Sequence, residues 1–351
     1  MSRYLNPLYK DLIPYTPGEQ PQNRKYIKLN TNESPYPPAP GVLDAVNREE
    51  AENLRLYSDP TVMPLKEALA DRYDVRPENI FVGNGSDDCL NFAFMAFGAD
   101  GAAFADITYG FYTVFASLHH VRADIKKLKE DYTLDPADYR GCGKAVFIAN
   151  PNAPTGLSIP VSKIEEIAQS NAGHVVVIDE AYVDFGGESA VPFVKKHPNL
   201  LVVQTFSKSR SLAGARVGYA IGSEQVIADL ETIRYSTNPY NINRISMAAA
   251  AAAVRDRAYY QANCRKIMAV RQYTKDALEK LGFRVLDSQA NFLFAEHPDY
   301  SGKTMYEQLK ERGILVRHLP GKRTDNFNRI TIGTKEQMDA LLKTVEEILN
   351  S

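Results

Sequence analysis

Four polar segments each follow a short apolar run, and their residue types suggest anion binding and carbonyl chemistry. A glycine turn that opens a helix presents free backbone N–H groups, which bind an anion well. A lysine with a lowered pKa can form an imine with an aldehyde. Together the segments suit a phosphate-bearing ring that is also an electrophile; they are Gly-Asn-Gly-Ser-Asp-Asp at 83–88, Asn-Pro-Asn-Ala-Pro-Thr-Gly at 150–156, Asp-Glu-Ala-Tyr at 179–182 and Thr-Phe-Ser-Lys at 205–208.

Each feature also has an ordinary structural explanation. The glycine turn is equally well explained as a strand-to-helix turn with Ser86 or Asp87 as the capping residue. Taken alone, Asp179 is a strand-end acid and Lys208 a solvated lysine, although a carboxylate directly after four apolar residues needs a partner if it is buried. Arg216 lies among small and apolar residues, and such an arginine usually has an anion partner.

The elements that must position these residues alternate between short strands and helices. Short continuous apolar runs are typical of strands buried on both faces, as in a mainly parallel sheet covered by helices. Ligands bind beyond the carboxyl ends of the strands in such sheets, so the four segments should meet at one edge. The predicted strands include Ile80–Val82, Ala102–Ala105, Lys144–Ala149, Val175–Ile178 and Leu200–Val203.

The pattern changes along the chain and predicts three parts. A proline-rich arm is expected at 1–27, because proline at this density favours an extended chain. A large α/β domain is expected at 28–236. After residue 236 a helical pattern at 245–281 is followed by three strand-like runs at 283–286, 292–295 and 329–332, which predicts a smaller α+β domain at 237–351.

Composition excludes several classes of function. With 351 residues and a formal net charge of −2, the chain has no electrostatic case for binding nucleic acid. Its longest apolar run, Met247–Val254, is too short to cross a membrane. Cys89, Cys142 and Cys264 are far apart, which fits reduced thiols in the cytoplasm. No ligand spacing predicts a metal site.

The motifs in their order resemble those of the fold-type-I aminotransferases, which carry pyridoxal 5′-phosphate. The resemblance spans nearly the whole chain and rests on Asn150–Gly156, Asp179–Tyr182, and Ser207–Lys208 followed by Leu-Ala-Gly-Ala-Arg at 212–216. It implies a large domain with a mainly parallel, seven-stranded-type sheet covered by helices, and a smaller α+β domain. It also implies transamination with Lys208 as the residue that holds the cofactor and moves the proton.

The resemblance assigns the remaining cofactor contacts. Asp179 would pair with the ring nitrogen, and Tyr182 and Asn152 would hydrogen-bond the ring oxygen. Tyr109 would stack on the ring. Tyr57 would reach the phosphate in the partner subunit of a homodimer. The phosphate itself would be held by Ser86, Asp87, Thr205, Ser207 and Arg216.

Within that family, the likeness is greatest to the histidinol-phosphate aminotransferases. It rests on Ile-Pro-Tyr-Thr-Pro-Gly at 13–18, Leu29–Tyr36, Gly313–Arg317 and Arg329–Thr334. It implies that Tyr15, Arg317 and Arg329, with Asn32 nearby, face a substrate that carries a phosphate or two carboxylates. Four places depart from the family pattern: Asp106, Arg210, the polar loop 322–325 and Asn328.

Three other functions are compatible with parts of the pattern. An aromatic amino-acid aminotransferase would use the same cofactor residues with a different substrate wall. A decarboxylase of the phosphothreonine type has the same fold and would release carbon dioxide. A regulatory module of this fold would need an appended DNA-binding domain, for which there is no room before residue 30, and it would not need Lys208.

Overall fold

Three β-sheets organise the chain in the computed structural model, which describes residues 3–351. The strands are β1 (Ile27–Lys28), β2 (Ile80–Gly83), β3 (Ala102–Ala105), β4 (Ala123–Lys126), β5 (Ala145–Ala149), β6 (Val176–Asp179), β7 (Leu200–Thr205), β8 (Gly218–Ile221), β9 (Arg284–Val285), β10 (Phe292–Glu296), β11 (Ile314–Leu315), β12 (Arg317–His318) and β13 (Phe327–Thr331). The α-helices are α1 (Pro40–Ala45), α2 (Arg48–Glu52), α3 (Met63–Tyr73), α4 (Ser86–Phe97), α5 (Phe111–Leu118), α6 (Val161–Ser170), α7 (Glu224–Thr237), α8 (Arg244–Arg255), α9 (Arg257–Lys280), α10 (Gly302–Glu311) and α11 (Lys335–Leu349).

The largest sheet has seven strands in the order β2-β8-β7-β6-β5-β3-β4. Only β8 runs against the others, since it is antiparallel to both β2 and β7. The sheet therefore confirms the predicted mainly parallel α/β architecture. Every residue of β2, β3, β5, β6, β7 and β8 is buried, whereas the edge strand β4 alternates between exposed and half-buried residues.

Helices cover both faces of this sheet. Alternate residues of one strand enter different apolar clusters, as Val176 and Val177 do in β6. One cluster includes residues of α3, α6 and α8, and the other includes residues of α4, α5 and α7. Burial on both faces explains why the strands are continuous apolar runs rather than alternating ones.

A second, antiparallel sheet has the order β12-β13-β10-β9 and packs against α9, α10 and α11. Two elements near the predicted domain boundaries pack against the domain to which the sequence did not assign them. The strand β1 pairs with β11 of the C-terminal part, and α8 packs on α1 and α3 against the large sheet. The division of the chain at residues 27 and 236 remains a prediction. Among residues 3–351, no helix combines the length and hydropathy that crossing a bilayer demands.

A small apolar group, here called the bridging cluster, joins the two main sheets. Ala105, Leu128 and Tyr132 come from the large sheet and the chain after it. They meet Phe294 and Phe327 of the antiparallel sheet, whose rings stack at 4.4 Å between centroids. The cluster fixes the relative position of the two sheets close to the carboxyl end of β3.

Arg210, one of the departures from the family pattern, is a buried cation with its own partners. Its side chain is 2% exposed, and its Nη1 lies 2.9 Å from Asp184 Oδ2. Its guanidinium also lies 4.5 Å from the centre of the Tyr260 ring. Asp184 in turn accepts a hydrogen bond from the Ser209 hydroxyl. The residue is therefore explained by packing and charge pairing beneath the sheet.

We expect Asp184→Ala to lower the free energy of unfolding by about 3 kcal/mol, because it leaves the buried Arg210 guanidinium without a counter-charge. Urea unfolding at a fixed protein concentration measures the change. Lys195→Ala is the control, since it breaks the exposed ion pair with Asp74 and should leave stability nearly unchanged. An equal effect of the two substitutions would contradict this account of Arg210.

Candidate active site

A cavity of about 460 Å³ lies at the carboxyl ends of β6 and β7. It forms where the parallel strands stop and the chain leaves them in loops, as expected for a doubly wound sheet. The structure thus brings most of the sequence-predicted cofactor residues together in the wall of one cavity. Those that line it are Ser86, Asp87, Tyr109, Asp179, Tyr182, Thr205, Ser207, Lys208 and Arg216.

The Asp179 carboxylate is buried at the end of β6 and faces this cavity. It accepts hydrogen bonds from the Tyr112 hydroxyl at 3.1 Å and from the Ala181 N–H at 3.2 Å. Burial raises the pKa of Asp179 to about 6, although the two hydrogen bonds act in the opposite direction. No salt bridge compensates its charge within residues 3–351, so the carboxylate is suited to a cationic ligand atom.

Lys208 enters the same cavity from the turn after β7. Its Nζ donates a hydrogen bond to the Thr31 carbonyl at 3.2 Å and lies 5.7 Å from the centre of the Tyr182 ring. The Tyr182 hydroxyl accepts a hydrogen bond from Asn32 Nδ2 at 2.9 Å. A primary amine therefore stands beside an oriented phenol and within the cavity that holds the buried carboxylate.

Asn32 acts on the site through Tyr182 and does not itself line the cavity. It adopts a left-handed backbone conformation with φ of 56°. Thr331 fixes this conformation, because its hydroxyl oxygen accepts from the Asn32 N–H at 2.9 Å and the hydroxyl donates to Asn32 Oδ1 at 3.0 Å. Thr331 of the antiparallel sheet therefore holds Asn32, and Asn32 in turn orients the Tyr182 phenol at the edge of the large sheet.

The glycine turn before α4 forms a cradle that side chains would fill. Gly85 has φ of +87°, and a Cβ there would lie 2.4 Å from Arg216 Nη2. A Cβ on Gly218 would lie 2.2 Å from the Ser86 nitrogen. The Arg216 guanidinium donates to Asp87 Oδ2 at 3.1 Å and to Ser207 Oγ at 3.3 Å. The helix start, a guanidinium and hydroxyl groups together suit an anion such as phosphate.

A second chamber of about 680 Å³ opens beside the first and shares Tyr109 and Ala153 in its wall. Tyr15, Arg317 and Arg329, the three residues predicted to face the substrate, all line it. We call it the outer chamber. Tyr15 stacks on Phe111 at 4.2 Å between ring centres.

The two arginines of the outer chamber are held differently. Arg317 donates to the Thr16 and Pro17 carbonyls of the N-terminal arm at 2.8 and 2.9 Å. Arg329 donates to the Asn30 carbonyl at 3.1 Å, and its buried Nε has no hydrogen-bond partner. Burial lowers the pKa of Arg329. An unpaired buried guanidinium N–H beside a polar chamber favours an anionic ligand.

Two predicted cofactor residues are not brought to either cavity. Asn152 uses its side chain within the loop: it accepts from the Thr108 hydroxyl at 2.8 Å, and its amide donates to the Ile107 carbonyl and Thr155 hydroxyl. Both amide hydrogens are thereby used, so the structure gives Asn152 a role in shaping the loop. Tyr57 is 80% exposed, stacks on Tyr240 at 4.6 Å and lines neither cavity.

Sequence reasoning missed Tyr112, Thr31 and Glu33. Tyr112 is the hydrogen-bond donor to Asp179, and the signal that could have found it is its place in the same aromatic segment, three residues after Tyr109. Thr31 and Glu33 line the cavity with Lys208. Both lie in the segment Leu29–Tyr36 that carries the family resemblance, but nothing in their residue types assigned them a role of their own, since Thr31 contributes a backbone carbonyl and Glu33 pairs with Lys28.

The arrangement can hold an anion at the start of α4, a cation at Asp179 and a carbonyl group at the Lys208 amine. Among residues 3–351, no group of three or more histidine, cysteine or acidic side chains is arranged to hold a metal ion.

Comparison with known proteins identifies the family. A family model described as aminotransferase class I and II matches residues 24–345. The chain is 47% identical over its whole length to a histidinol-phosphate aminotransferase of Brachyspira hyodysenteriae, and 49% identical over 99% of its length to one of Marinomonas sp.; the alignments cover 100% of both relatives. The structure of histidinol-phosphate aminotransferase from Sinorhizobium meliloti in complex with pyridoxal-5′-phosphate matches with a TM-score of 0.90 at 26% identity, over 100% of this chain and 98% of that chain. The chain therefore belongs to the class I and II aminotransferases and, within them, to the histidinol-phosphate aminotransferase family.

Proposed function

We propose that this protein is a pyridoxal-phosphate-dependent aminotransferase that converts histidinol phosphate and 2-oxoglutarate into imidazole acetol phosphate and glutamate, a step of histidine biosynthesis. The observation that carries the proposal is the placement of Asp179, Lys208 and the cradle at α4 in one cavity, with two arginines in the adjoining chamber. Relatives of that name, 47 and 49% identical over nearly the whole chain, support the substrate.

The residues present fit the cofactor. Asp179 is a buried carboxylate in need of a cation, which a protonated pyridine nitrogen would supply. The cradle formed by Gly85, Ser86 and Arg216 is closed to side chains and suited to a phosphate. Thr205 and Ser207 also line this end of the cavity. When bound, pyridoxal phosphate supplies an aldehyde carbon and a ring that withdraws electrons from the substrate.

The chain's own contribution begins with Lys208. Its Nζ would hold the cofactor before the reaction and, once free, accept the proton from the Cα of the amino donor. Asp179 would pair with the protonated ring nitrogen and stabilise its positive charge. The Tyr182 hydroxyl, oriented by Asn32, would donate a hydrogen bond to the ring oxygen, and Tyr109, which lines the same cavity, would stack on the ring. The phenol of Tyr109 is itself fixed by donation to Asp87 Oδ1 at 2.7 Å.

The outer chamber suits the charged ends of both substrates. Arg317, Arg329 and Tyr15 provide two cations and a phenol, which match either a phosphate monoester or the second carboxylate of glutamate. A single set of anion-binding groups would then serve both half-reactions. An aromatic amino acid carries one carboxylate and no phosphate, so it leaves at least one of these two arginines without a counter-charge, which makes it the poorer substrate. A decarboxylase of the same fold would release carbon dioxide, and the names of the close relatives do not favour it.

We further propose that the enzyme is a cytoplasmic homodimer in which Tyr57 of one subunit reaches the cofactor phosphate of the other. The ring is exposed and lies outside its own subunit's cavities, as such a role requires. The three cysteines are free thiols, which fits a reducing compartment.

The activity is tested with the purified protein, pyridoxal phosphate and histidinol phosphate. We expect histidinol phosphate to change the absorbance of the bound cofactor and to support glutamate formation from 2-oxoglutarate. Lys208→Ala should lower the rate by a factor of about 10² to 10⁴, because it removes the general base. Lys303→Ala, on the exposed part of α10, is the matched control and should retain full activity.

Substrate comparison decides between the members of the family. Phenylalanine and tyrosine should react much more slowly than histidinol phosphate. If the aromatic amino acids react as fast or faster, the protein is still an aminotransferase, but its proposed role in histidine biosynthesis is refuted. Carbon dioxide release would indicate the decarboxylase, and a protein that never binds pyridoxal phosphate would refute the proposal as a whole.

Asp179 should make the cofactor-free protein sensitive to pH. Its pKa is raised to about 6 in the folded state from an ordinary value of 3.8, so the folded state binds the proton more tightly. The resulting stability is complete below about pH 3.8 and is lost as pH rises through 6. We expect wild type to lose roughly 2 kcal/mol relative to Asp179→Asn over this range, as measured by urea unfolding. A difference that does not vary with pH would show that Asp179 does not titrate there.

Mixed dimers test the contribution of Tyr57. Lys208→Ala and Tyr57→Ala subunits, each impaired alone, are unfolded together and refolded. If Tyr57 serves the partner's site, half of the sites in a mixed dimer are fully wild type, and activity should rise well above that of either parent. No gain over the parents would place Tyr57 in its own subunit's site or outside the mechanism.

A further inference from the structure

Arg323 connects the antiparallel sheet to the large sheet at the wall of the outer chamber. It lies in the loop 319–326, which joins β12 to β13. Its Nη1 donates to the Leu128 carbonyl at 2.9 Å and lies 3.4 Å from Asp106 Oδ2, and its Nη2 donates to the Lys129 carbonyl. All three acceptors belong to the region of β3 and β4. Both charged side chains are largely buried, at 18% and 26% exposure.

Two further sets of contacts hold Arg323 and Asp106 in place. The Tyr132 hydroxyl donates to the Arg323 carbonyl at 2.7 Å, and the Arg323 guanidinium lies 5.0 Å from the centre of the Tyr132 ring. Asp106 is held separately, because its Oδ1 accepts from the Leu128 N–H at 2.9 Å. Tyr132 and Leu128 belong to the bridging cluster, against which Leu319 of the loop also packs. The ion pair therefore lies directly over an apolar contact between the two sheets.

The loop has a direct link to the substrate residues. Residues 319–324 of the loop, Arg323 among them, line the outer chamber. The short strand β12, which precedes the loop, carries Arg317 and has only two paired residues. A loop that moved away from the large sheet would widen the chamber and displace Arg317.

We propose that Arg323 is a positioning residue that fixes the outer wall of the chamber and thereby sets the affinity for the phosphorylated substrate. The alternative role, a third arginine that binds the substrate anion, is disfavoured by its contacts. Asp106 already supplies a counter-charge, and three of the five guanidinium N–H groups donate to Asp106 and to the Leu128 and Lys129 carbonyls. The proposal rests on the proposed function, because its main readout is the KM for histidinol phosphate.

The two roles predict opposite results for Asp106→Asn. If Arg323 positions the loop, loss of the carboxylate weakens the connection, and the KM for histidinol phosphate should rise about threefold with kcat within twofold. If Arg323 binds the substrate, loss of its counter-charge frees the guanidinium, and the KM should fall. Arg323→Ala should raise the KM about tenfold, and Asp106→Asn combined with Arg323→Ala should be no worse, because the pair acts as a unit.

Several controls keep the result interpretable. Arg312→Ala removes an exposed arginine of the same sheet region whose described contacts are with Gln308, and it should leave the KM unchanged. If Arg323→Ala does not fold, the direction of the change in Asp106→Asn decides alone. An unchanged KM in Arg323→Ala, a fall in kcat alone, or a lower KM in Asp106→Asn would each overturn the proposal.

Limited trypsin cleavage separates this proposal from the proposed function. Lys322 is exposed and directly precedes Arg323, so cleavage after Lys322 reports the attachment of the loop whether or not the enzyme acts on histidinol phosphate. We expect cleavage at least fivefold faster in Asp106→Asn than in wild type. Wild type inactive on histidinol phosphate would refute the proposed function, whereas unchanged cleavage would refute the role of Arg323.

Discussion

The carboxylate of Asp179 is the constraint on which the rest of the site depends. It ends a strand that is buried on both faces, so it is removed from water, and two hydrogen bonds do not replace a counter-charge. A cationic ligand atom would neutralise the buried charge, and the ion pair would also fix the position of that atom. The cradle at α4 and the Lys208 amine then determine how the remainder of that ligand is oriented. Binding of the proposed cofactor would therefore offset the destabilisation that results from burying Asp179.

The amino-acid sequence predicts the centre of the fold better than its margins. The strands β2, β3, β5, β6 and β7 are buried on both faces, and each was recognisable as a continuous apolar run. The edge strand β4 was missed because its sequence, Ala-Asp-Ile-Lys, alternates apolar and charged residues and forms no continuous apolar run. The strand β8 was missed because it begins with glycine and tyrosine directly after the Arg216 turn, so no continuous apolar run marks its start. These omissions left the predicted architecture correct, since the site lies at the central strands.

Site residues were predictable where a motif positions them locally and not where distant segments meet. Lys208, Asp179 and Arg216 follow strand ends, and they converge because parallel strands end at one edge. Asn152 follows a strand too, but its amide bonds to Thr155 and to the chain before Tyr109, a competition that no local pattern reveals. Asp106 and Arg323 looked like two unrelated departures from the family pattern. In three dimensions each is the partner of the other.

The parallel pairing of β1 with β11 has a consequence for synthesis of the protein. Ile27 and Lys28 pair with Ile314 and Leu315, and Leu29 belongs to the C-terminal apolar core. The strand β1, which is synthesised early, therefore cannot pair until β11 has been synthesised near the end of translation. The large sheet, whose strands all lie between residues 80 and 221, can assemble on the ribosome long before this pairing is available. Pairing of β1 is thus a late event of folding, and in a chain that still lacks its last residues Leu29 has no apolar partners to bury it.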